Sequence, residues 1–499
     1  MKPSKAGGNT ENANNTDSTY NTENIKSTDS TYNTDSTDHN ENKNDMNKKE
    51  NKIIILSPPF YSHFQPLKTL GKALKSLGAR VSIACSEGFQ EEIEEAGLGF
   101  HPLDINKNRN TGIAKKTEQD QEEQKRLEEF FEATYRGPVK TLITQADHRL
   151  KDMFSNPREL IDSIQKLYDL HQPDLMIVDQ LSYGATLALI GLDIPFLTFC
   201  PPHPKTIQSK EVDNGLTERW PKALEPTERE KQALRKKQEE LNSVFAGAYK
   251  KVFSTRFPHR SIPTDLLNNP FSLTSPKGVL FNYPEFSQES SIPAYYLHYC
   301  FEPEELEESF KIQVSEGSEG SEDLEGLDGK KRRVLISFGT FLSERKDVID
   351  TLIQGFLNHG ESWHIYAATG GNEEFFSKYS SESITKAPFL PQKALIPHMD
   401  LVVHHGGTNS FTETLYYGKP MIILPFSSDQ FAVAYDVEKN HIGAVLDPNH
   451  LTEKNLHHAI GKLEREEVKR SLEYWREKSR EKGPHNGAKW IMRILKGPV

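Results

Sequence analysis

Residues 400–430 read DLVVHHGGTNSFTETLYYGKPMIILPFSSDQ, and this stretch decides the fold. Its apolar residues up to Val403 predict a buried strand, and the His-His-Gly-Gly that follows predicts a tight loop. A helix is expected to begin near Asn409 or Ser410 and to end at Gly418. A strand that passes through a glycine-rich turn into a helix is typical of an α/β domain with a parallel sheet.

The start of this predicted helix is suited to binding an anion. Glycines let the backbone approach a ligand, and the free N–H groups of a first helical turn point outward from the positive end of the helix dipole. His405 at the strand end could donate a further hydrogen bond to a phosphate oxygen. Two alternatives stay open from the residues alone. Gly406 and Gly407 would form only a turn, and Ser410 with Glu413 would form only a capping box.

The alternation of strand and helix recurs on both sides of one acidic segment. Apolar runs such as residues 53–56 and 175–178 predict strands buried on both faces, and a second series begins at Val334. We therefore predict an α/β protein of two Rossmann-like domains that face a cleft. The predicted organisation is a disordered low-complexity tail (1–50), an N-terminal α/β domain (52–312), an acidic Gly/Ser linker (313–331), a C-terminal α/β domain (332–480) and a C-terminal helix that returns to the N-terminal domain (481–499).

Composition excludes several classes of partner and site. The 499 residues include 61 basic and 72 acidic side chains, and a net charge of -11 disfavours binding to nucleic acid or anionic lipid. Three cysteines (Cys85, Cys200 and Cys300) lie too far apart to predict a zinc site or a disulfide framework. Because the sequence has neither a long apolar run nor a secretory signal, we expect a cytoplasmic protein without a membrane span.

Three motifs between residues 389 and 430 resemble the donor-binding signature of nucleotide-diphosphate-sugar (UDP-) glycosyltransferases. Residues 405–413 match the core pattern His-x-Gly-x-Asn-Ser-x-x-Glu. Phe-Leu-Pro-Gln at 389–392 stands where the family usually has Trp-x-Pro-Gln, and Asp-Gln at 429–430 matches the closing pair. This resemblance, to the bacterial macrolide and plant secondary-product type, implies the GT-B fold. The N-terminal domain would then bind the acceptor and the C-terminal domain the nucleotide sugar.

The resemblance also assigns residues to each part of the donor. Phe389 would stack on the base, Gln392 would contact it, and Glu413 would accept hydrogen bonds from the ribose hydroxyls. The remaining donor-binding residues are Gly339, Thr340, His405, Gly407, Asn409 and Ser410 for the diphosphate, and Asp429 and Gln430 for sugar hydroxyls. The segment around Gly339 could also be a simple strand end.

The acid–base candidate is His63, in the loop that follows the first predicted strand. We expect Pro66 to take the first helical position, so that His63 lies just before a helix whose dipole keeps its ring neutral. His-x-x-Pro at this place resembles the catalytic His of the same family, and Asp179 is the carboxylate that would orient it. The alternatives are a loop hydrogen-bonder for His63, and a strand-end cap for Asp179. Asp174 stands at the wrong end of its strand.

Together these features predict an inverting, metal-independent UDP-glycosyltransferase. It would transfer a hexose, most simply glucose, from a UDP-sugar to a hydroxyl of a small lipophilic acceptor. The sequence has no Asp-x-Asp pair for a metal, so we expect neither a metal nor a cofactor besides the UDP-sugar co-substrate. TDP-sugars, a nucleotide-sugar 2-epimerase, a non-catalytic GT-B-fold partner protein and a membrane-bound acceptor remain alternatives. Residues that resemble acceptor-side segments of the family are Phe196, Phe199, Pro201, Pro202 and His203.

Overall fold

The structure is a computed structural model that describes residues 50–105, 121–152, 157–207, 219–264, 270–286, 293–305, 331–379 and 382–497. Residues 50–499 form one compact unit. The predictions for the tail and for the linker therefore fall outside the described residues, apart from Glu50 and Lys331. None of the helices in the described part of the chain has both the length and the apolar character needed to span a bilayer.

The N-terminal domain is built on a seven-stranded sheet in which every neighbouring pair is parallel. Its strands are β1 (Lys52–Leu56), β2 (Arg80–Cys85), β3 (Gly99–Pro102), β4 (Leu175–Asp179), β5 (Phe196–Cys200), β6 (Val279–Phe281) and β7 (Ala294–Tyr296). The strand order is β3-β2-β1-β4-β5-β6-β7, so the chain reverses its direction of travel across the sheet between β1 and β4. A crevice opens at such a switch point, at the carboxyl ends of the strands.

In the part of the chain that the structure describes, seven α-helices accompany this sheet. They are α1 (Tyr61–Ser76), α2 (Gln90–Glu95), α3 (Gln121–Tyr135), α4 (Pro138–Asp152), α5 (Pro157–His171), α6 (Tyr183–Leu192) and α7 (Glu228–Arg256). The long helix α7 begins with a complete capping box, in which Thr227 and Glu230 satisfy each other's backbone N–H groups. Strands such as β4 and β5 are buried along their whole length, as the continuous apolar runs in the sequence predict.

The C-terminal domain repeats the design with six parallel strands. These are β8 (Arg332–Ser337), β9 (Trp363–Ala368), β10 (Ile384–Ala387), β11 (Leu401–His404), β12 (Met421–Ile423) and β13 (Gly443–Val445). Their order, β10-β9-β8-β11-β12-β13, places a second switch point between β8 and β11. The helices are α8 (Gly339–Leu342), α9 (Lys346–Leu357), α10 (Glu373–Phe376), α11 (Gln392–Leu395), α12 (Thr408–Tyr416), α13 (Gln430–Lys439), α14 (Glu453–Leu463), α15 (Glu466–Arg480) and α16 (Pro484–Leu495).

The last helix, α16, packs on the N-terminal domain. Ala488 and Ile491 are fully buried in the apolar core that lies beneath α1. Trp490 lies against Tyr295 of β7, with ring centroids 5.8 Å apart. The chain thus forms two parallel-sheet Rossmann-like domains, as predicted, and its final helix completes the first of them.

Candidate active site

His63 and Asp179 meet at the switch point of the N-terminal sheet. Strands β1 and β4 are direct neighbours, with Leu56 opposite Val178, so the segments that follow them emerge side by side. The Nδ1 atom of His63 lies 2.9 Å from the Oδ2 atom of Asp179, whose side chain is fully buried. The other carboxylate oxygen accepts a hydrogen bond from the backbone N–H of Leu181 at 2.8 Å. Asp179 is therefore held rigidly and directed at the His63 ring.

This carboxylate controls the charge on the His63 ring. Burial lowers the pKa of His63, but the adjacent Asp179 outweighs burial and leaves that pKa above its ordinary value. The carboxylate accepts the Nδ1–H of the neutral ring, so Nε2 is the nitrogen that is free to take a proton. His63 itself lines the cleft between the domains. The pair therefore has the geometry of a general base and its orienting carboxylate.

The helix after β1 begins earlier than the sequence analysis predicts. Helix α1 starts at Tyr61, so His63 lies within its first turn and Pro66 lies inside the helix instead of opening it. Pro66 has no N–H to donate to the Ser62 carbonyl four residues before it. The Nδ2 atom of Asn409, in the other domain, donates a hydrogen bond to this carbonyl at 2.8 Å.

The second switch point carries the predicted anion site. Helix α12 begins at Thr408, one or two residues before the predicted start at Asn409 or Ser410, with Gly407 as its N-cap. Glycine has no side chain to cap the helix, so Ser410 and Glu413 do not form the capping box that the sequence left open. Instead the Nε2 atom of Gln392 donates to Ser410 Oγ at 3.0 Å and to Glu413 Oε2 at 2.6 Å.

The ring of His405 lies between two glycines. A Cβ atom at Gly407 would stand 2.5 Å from its Nε2 atom, and a Cβ at Gly339 would stand 3.2 Å from its Cε1 atom. Gly339 also has a φ of +68°, which disfavours other residues. Both glycines of the predicted set are thus explained by the space that the ring needs. The backbone of Thr340 lies in α8, the short helix that begins at Gly339.

Burial shifts the pKa values of His405 and Glu413 in opposite directions. It lowers the pKa of His405 to about 4, an effect that Asp429 opposes, so the ring is neutral at physiological pH and can still donate one hydrogen bond. Burial raises the pKa of Glu413 to about 7, although the hydrogen bond from Gln392 opposes this shift. A buried carboxylate that accepts only one hydrogen bond from described residues is suited to accept others from a hydroxylated ligand.

The loop before α13 differs from expectation at one residue. Gln430 lines the cleft, but its Oε1 atom accepts hydrogen bonds from the backbone N–H groups of Phe426 and Ser427. Its side chain therefore holds the loop itself. The Oδ2 atom of Asp429 accepts a hydrogen bond from the backbone N–H of His203, in the other domain, at 2.8 Å. It also accepts one from Thr408 Oγ1, in the same domain, at 3.2 Å.

Most of the residues predicted to bind the donor line one cleft of about 610 Å³. Phe389 lies on its rim with 61% of its surface exposed, which suits a stacking platform. The ion pair of Lys393 with Glu304 joins the two domains near this rim. The predicted residues that line the cleft are His63, Gly339, Phe389, Gln392, His405, Gly407, Asn409, Ser410, Glu413, Asp429 and Gln430.

The acceptor-side expectations are only partly met. Pro201 and Pro202 line the cleft, whereas Phe196 and Phe199 belong to β5 and are buried in the apolar cores of the N-terminal domain. His203 is also buried, and its Nε2 atom lies 2.9 Å from Asp436 Oδ2 of the other domain. These three side chains therefore serve packing and domain contact in place of acceptor lining.

A set of contacts between the domains could not be predicted from the sequence. Gln145 accepts a hydrogen bond from the backbone N–H of Ser428, which has a φ of 55°. Arg345 is buried and donates to the backbone carbonyl of Thr134 at 3.3 Å. No local motif marks such residues, because each depends on which surfaces the two domains bring together. Within the described ranges, His, Cys, Asp and Glu side chains form no group of three or more that could hold a metal ion.

Comparisons with known proteins agree with this architecture. The family model described as the Glycosyltransferase family 28 N-terminal domain matches residues 63–146, and the model of the C-terminal domain of that family matches residues 348–486. The chain is 38% identical to the uncharacterized UDP-glucosyltransferase YojK of Bacillus subtilis over 79 residues, which are 16% of this chain and 20% of that protein. The segments shared with the first such relatives span about a fifth to a third of those relatives' length.

Two further similarities cover most of the chain. The NDP-glycosyltransferase YjiC of Bacillus subtilis is 23% identical over 425 residues, 83% of this chain and 88% of that protein. The solved structure of the kitacinnamycin glycosyltransferase superposes with a TM-score of 0.61 at 18% identity, over 90% of this chain and 100% of that one. With two parallel-sheet domains, a cleft between them and both family models in order, the chain has the GT-B fold and is similar in sequence to nucleotide-sugar-dependent glycosyltransferases of family 28.

Proposed function

We propose that the protein is an inverting glycosyltransferase that transfers a hexose from a UDP-sugar to a hydroxyl of a small lipophilic acceptor. The observation that carries this proposal is that a candidate base and a candidate anion site lie on the two sides of one cleft. His63, backed by Asp179, lines the N-terminal side, and the His405 ring with the start of α12 lines the C-terminal side. A base and an anion site that face one space suit a single displacement at an anomeric carbon.

The reaction follows from this arrangement. His63 Nε2 takes the proton of the acceptor hydroxyl, and the oxygen attacks the anomeric carbon from the face opposite the diphosphate. As the new C–O bond forms, the bond from the anomeric carbon to the diphosphate breaks, and its electron pair leaves with the phosphate oxygen. The leaving diphosphate gains negative charge beside the N–H groups at the start of α12 and the neutral His405 ring. Asp179 stabilises the imidazolium, and the configuration at the anomeric carbon inverts.

The donor half of the cleft supports a nucleoside diphosphate sugar. Phe389 provides an exposed ring for a base, Glu413 a buried carboxylate for ribose hydroxyls, and Asp429 a carboxylate near the sugar. Gln430 would act by shaping the loop that carries Asp429. UDP-glucose is our first choice of donor, supported by the Asp-Gln pair and by the name of the relative YojK. TDP-sugars are the alternative that a donor screen would reveal.

The acceptor half of the cleft includes several apolar side chains. Phe130, Pro201 and Pro202 contribute to its lining, together with Gln145. Such a surface suits a lipophilic aglycone that presents one hydroxyl to His63. A cytoplasmic location is also our proposal, supported by three buried cysteines that are all unpaired.

The direct test is a screen of purified protein with UDP-glucose, other UDP-hexoses and TDP-sugars against a panel of hydroxylated aromatic and polyketide acceptors. Mass spectrometry would report a mass gain of one hexose on the acceptor together with release of the nucleoside diphosphate. Interconversion of the sugar nucleotide without any acceptor would instead identify a 2-epimerase and contradict the proposal.

Transfer should not require a divalent metal. The expectation rests on the missing Asp-x-Asp pair and on the helix start and His405, which provide the positive field that a metal would otherwise supply. Activity should persist in excess EDTA. A complete loss that Mg²⁺ or Mn²⁺ restores would show that the diphosphate is neutralised by a metal ion.

Glu413→Gln should weaken UDP binding about ten- to a hundredfold at about pH 8. The loss of a hydrogen bond to a charged group costs on the order of 1.5–3 kcal/mol, and a glutamine presents a donor to one ribose hydroxyl. Isothermal titration calorimetry would measure the affinity, and a thermal melt would establish that the variant is folded. Unchanged UDP affinity in a folded variant would remove Glu413 from the donor site.

The same residue gives a pH dependence. Because burial raises the pKa of Glu413 to about 7, its carboxyl gains a proton as the pH falls below that value. Affinity for uridine should therefore fall as the pH is lowered through 7 in the wild type, and stay flat in the glutamine variant. Uridine is the better probe here, because the terminal phosphate of UDP titrates in the same range. A pH slope shared by both proteins would assign the titration to another group.

A further inference from the structure

The carbonyl of Ser62 occupies an unusual position in α1. In a regular helix the N–H of residue 66 would donate to it, but residue 66 is proline and has no such donor. Ser62 directly precedes His63, so this carbonyl belongs to the turn that carries the proposed base. Pro66 itself is buried, and its own carbonyl accepts a hydrogen bond from the thiol of Cys300 at 3.1 Å. The core therefore fixes this turn from one side, and the Ser62 carbonyl receives no hydrogen bond from residue 66.

Asn409, in the other domain, donates a hydrogen bond to this carbonyl. Its Nδ2 atom donates to the Ser62 carbonyl at 2.8 Å, and its Oδ1 atom accepts a hydrogen bond from Asn282 Nδ2 at 3.1 Å. Asn282 follows β6 and is buried, so both partners of the Asn409 amide belong to the N-terminal domain. The amide connects the first turn of α12 with the first turn of α1.

We propose that Asn409 is a positioning residue that ties the turn carrying His63 to the helix that receives the diphosphate, through the carbonyl that Pro66 leaves without its helical donor. This inference rests on the function proposed above and gives Asn409 a different task from the diphosphate contact that the family resemblance implies. The proline of His63-x-x-Pro66 then has a chemical reason. It makes a backbone acceptor available to the opposite domain.

The hydrogen bond from Asn409 to Ser62 fixes the position of the two domains relative to each other at the cleft, which Asp179 does not control. Asp179 sets the tautomer and rotation of the His63 ring within the N-terminal domain. The distance from that ring to the anomeric carbon depends on how the two domains approach each other. A misplacement of about 1 Å at a reacting centre can lower a rate about a hundredfold. An interdomain hydrogen bond one residue from the base is well placed to set that distance.

A double-mutant cycle on Asn409 and Pro66 tests this inference. Asn409→Ala removes the donor from the opposite domain, and we expect kcat to fall about ten- to a hundredfold while the Kd for UDP changes less than about threefold. Pro66→Ala supplies an N–H within the helix to the same carbonyl. In that background Asn409→Ala should have a clearly smaller effect on kcat, because the carbonyl is already satisfied. Asn282→Ala, which loosens the Asn409 amide from its other side, should show a smaller fall in kcat with the same unchanged Kd.

Each outcome decides for or against the link. Equal effects of Asn409→Ala in both backgrounds would overturn it, and a large loss of UDP affinity would return Asn409 to the diphosphate site. Asn358→Ala is the matched control, since its amide donates to Glu453 within the C-terminal domain and is not part of the cleft lining. If the wild type transferred no sugar, the proposed function would fail separately. The same cycle, measured as coupling between the two substitutions in thermal unfolding, would still report whether the link exists.

Discussion

Turnover should fall about 10²–10⁴-fold when His63 is replaced by alanine, which is the usual contribution of a positioned general base. The loss should be confined to the chemical step. His63 approaches the cleft from the N-terminal side, whereas the proposed donor-binding residues lie in the C-terminal domain. UDP affinity should therefore stay close to that of the wild type, and kcat should carry the whole effect.

Two measurements check this expectation. Steady-state kinetics at saturating donor gives kcat, and calorimetric titration with UDP gives the affinity. His148→Ala is a matched control, because His148 bonds to Glu129 through a similar His–carboxylate contact of 3.0 Å and is not part of the cleft lining. Near-normal turnover of the His63 variant would mean that another group, or water, takes the acceptor proton.

Asp179→Asn should lower kcat by a similar factor and also move the pH profile. An amide at this position cannot stabilise the imidazolium, and it can hold the wrong ring tautomer by donating to Nδ1. In the wild type, burial lowers the pKa of His63 and the Asp179 carboxylate more than compensates. Removal of the carboxylate leaves burial opposed only by the smaller effect of Asp429, so the pKa of the ring should drop.

The sign of the shift distinguishes this role from a purely structural one. A base must be unprotonated to act, so activity is lost as the pH falls through its pKa. The acidic limb of the kcat/KM profile should therefore lie at lower pH in the Asp179→Asn variant, around a reduced plateau. A reduced plateau with an unmoved limb would indicate that Asp179 only maintains the strand end through its bond to Leu181.

The sequence predicts the fold well wherever burial is continuous. Runs such as Leu175–Asp179 read as strands because both faces of a parallel sheet are covered and every side chain is apolar or at a strand end. Short edge strands escape the same reasoning. Gly99–Pro102 and Ile384–Ala387 are only partly buried, so they lack the apolar run that marks a central strand.

Helix starts and side-chain tasks within the site are harder to predict. Pro66 reads as a first helical residue by preference, yet the chain enters α1 five residues earlier. Glu413 and Ser410 match a capping box in spacing, but Gly407 takes the cap and leaves both side chains to Gln392. The side chain of Gln430 is used within its own loop. Ser410 and Glu413 are bonded by a residue distant in sequence, and Gln430 is bonded by the backbone of its own loop. Neither contact can be deduced from the spacing of a motif.

The return of α16 to the N-terminal domain has a consequence for the order in which the protein is made. Domains usually fold as units during synthesis, beginning with the one nearest the N-terminus. Here the first domain cannot close its core until Ala488 and Ile491 have left the ribosome, although its first strand begins at Lys52. The C-terminal domain, whose described strands and helices end by Arg480, can be complete slightly earlier. A released chain that is truncated after Arg480 should therefore show a protease-resistant C-terminal domain beside an N-terminal domain that is still open to cleavage.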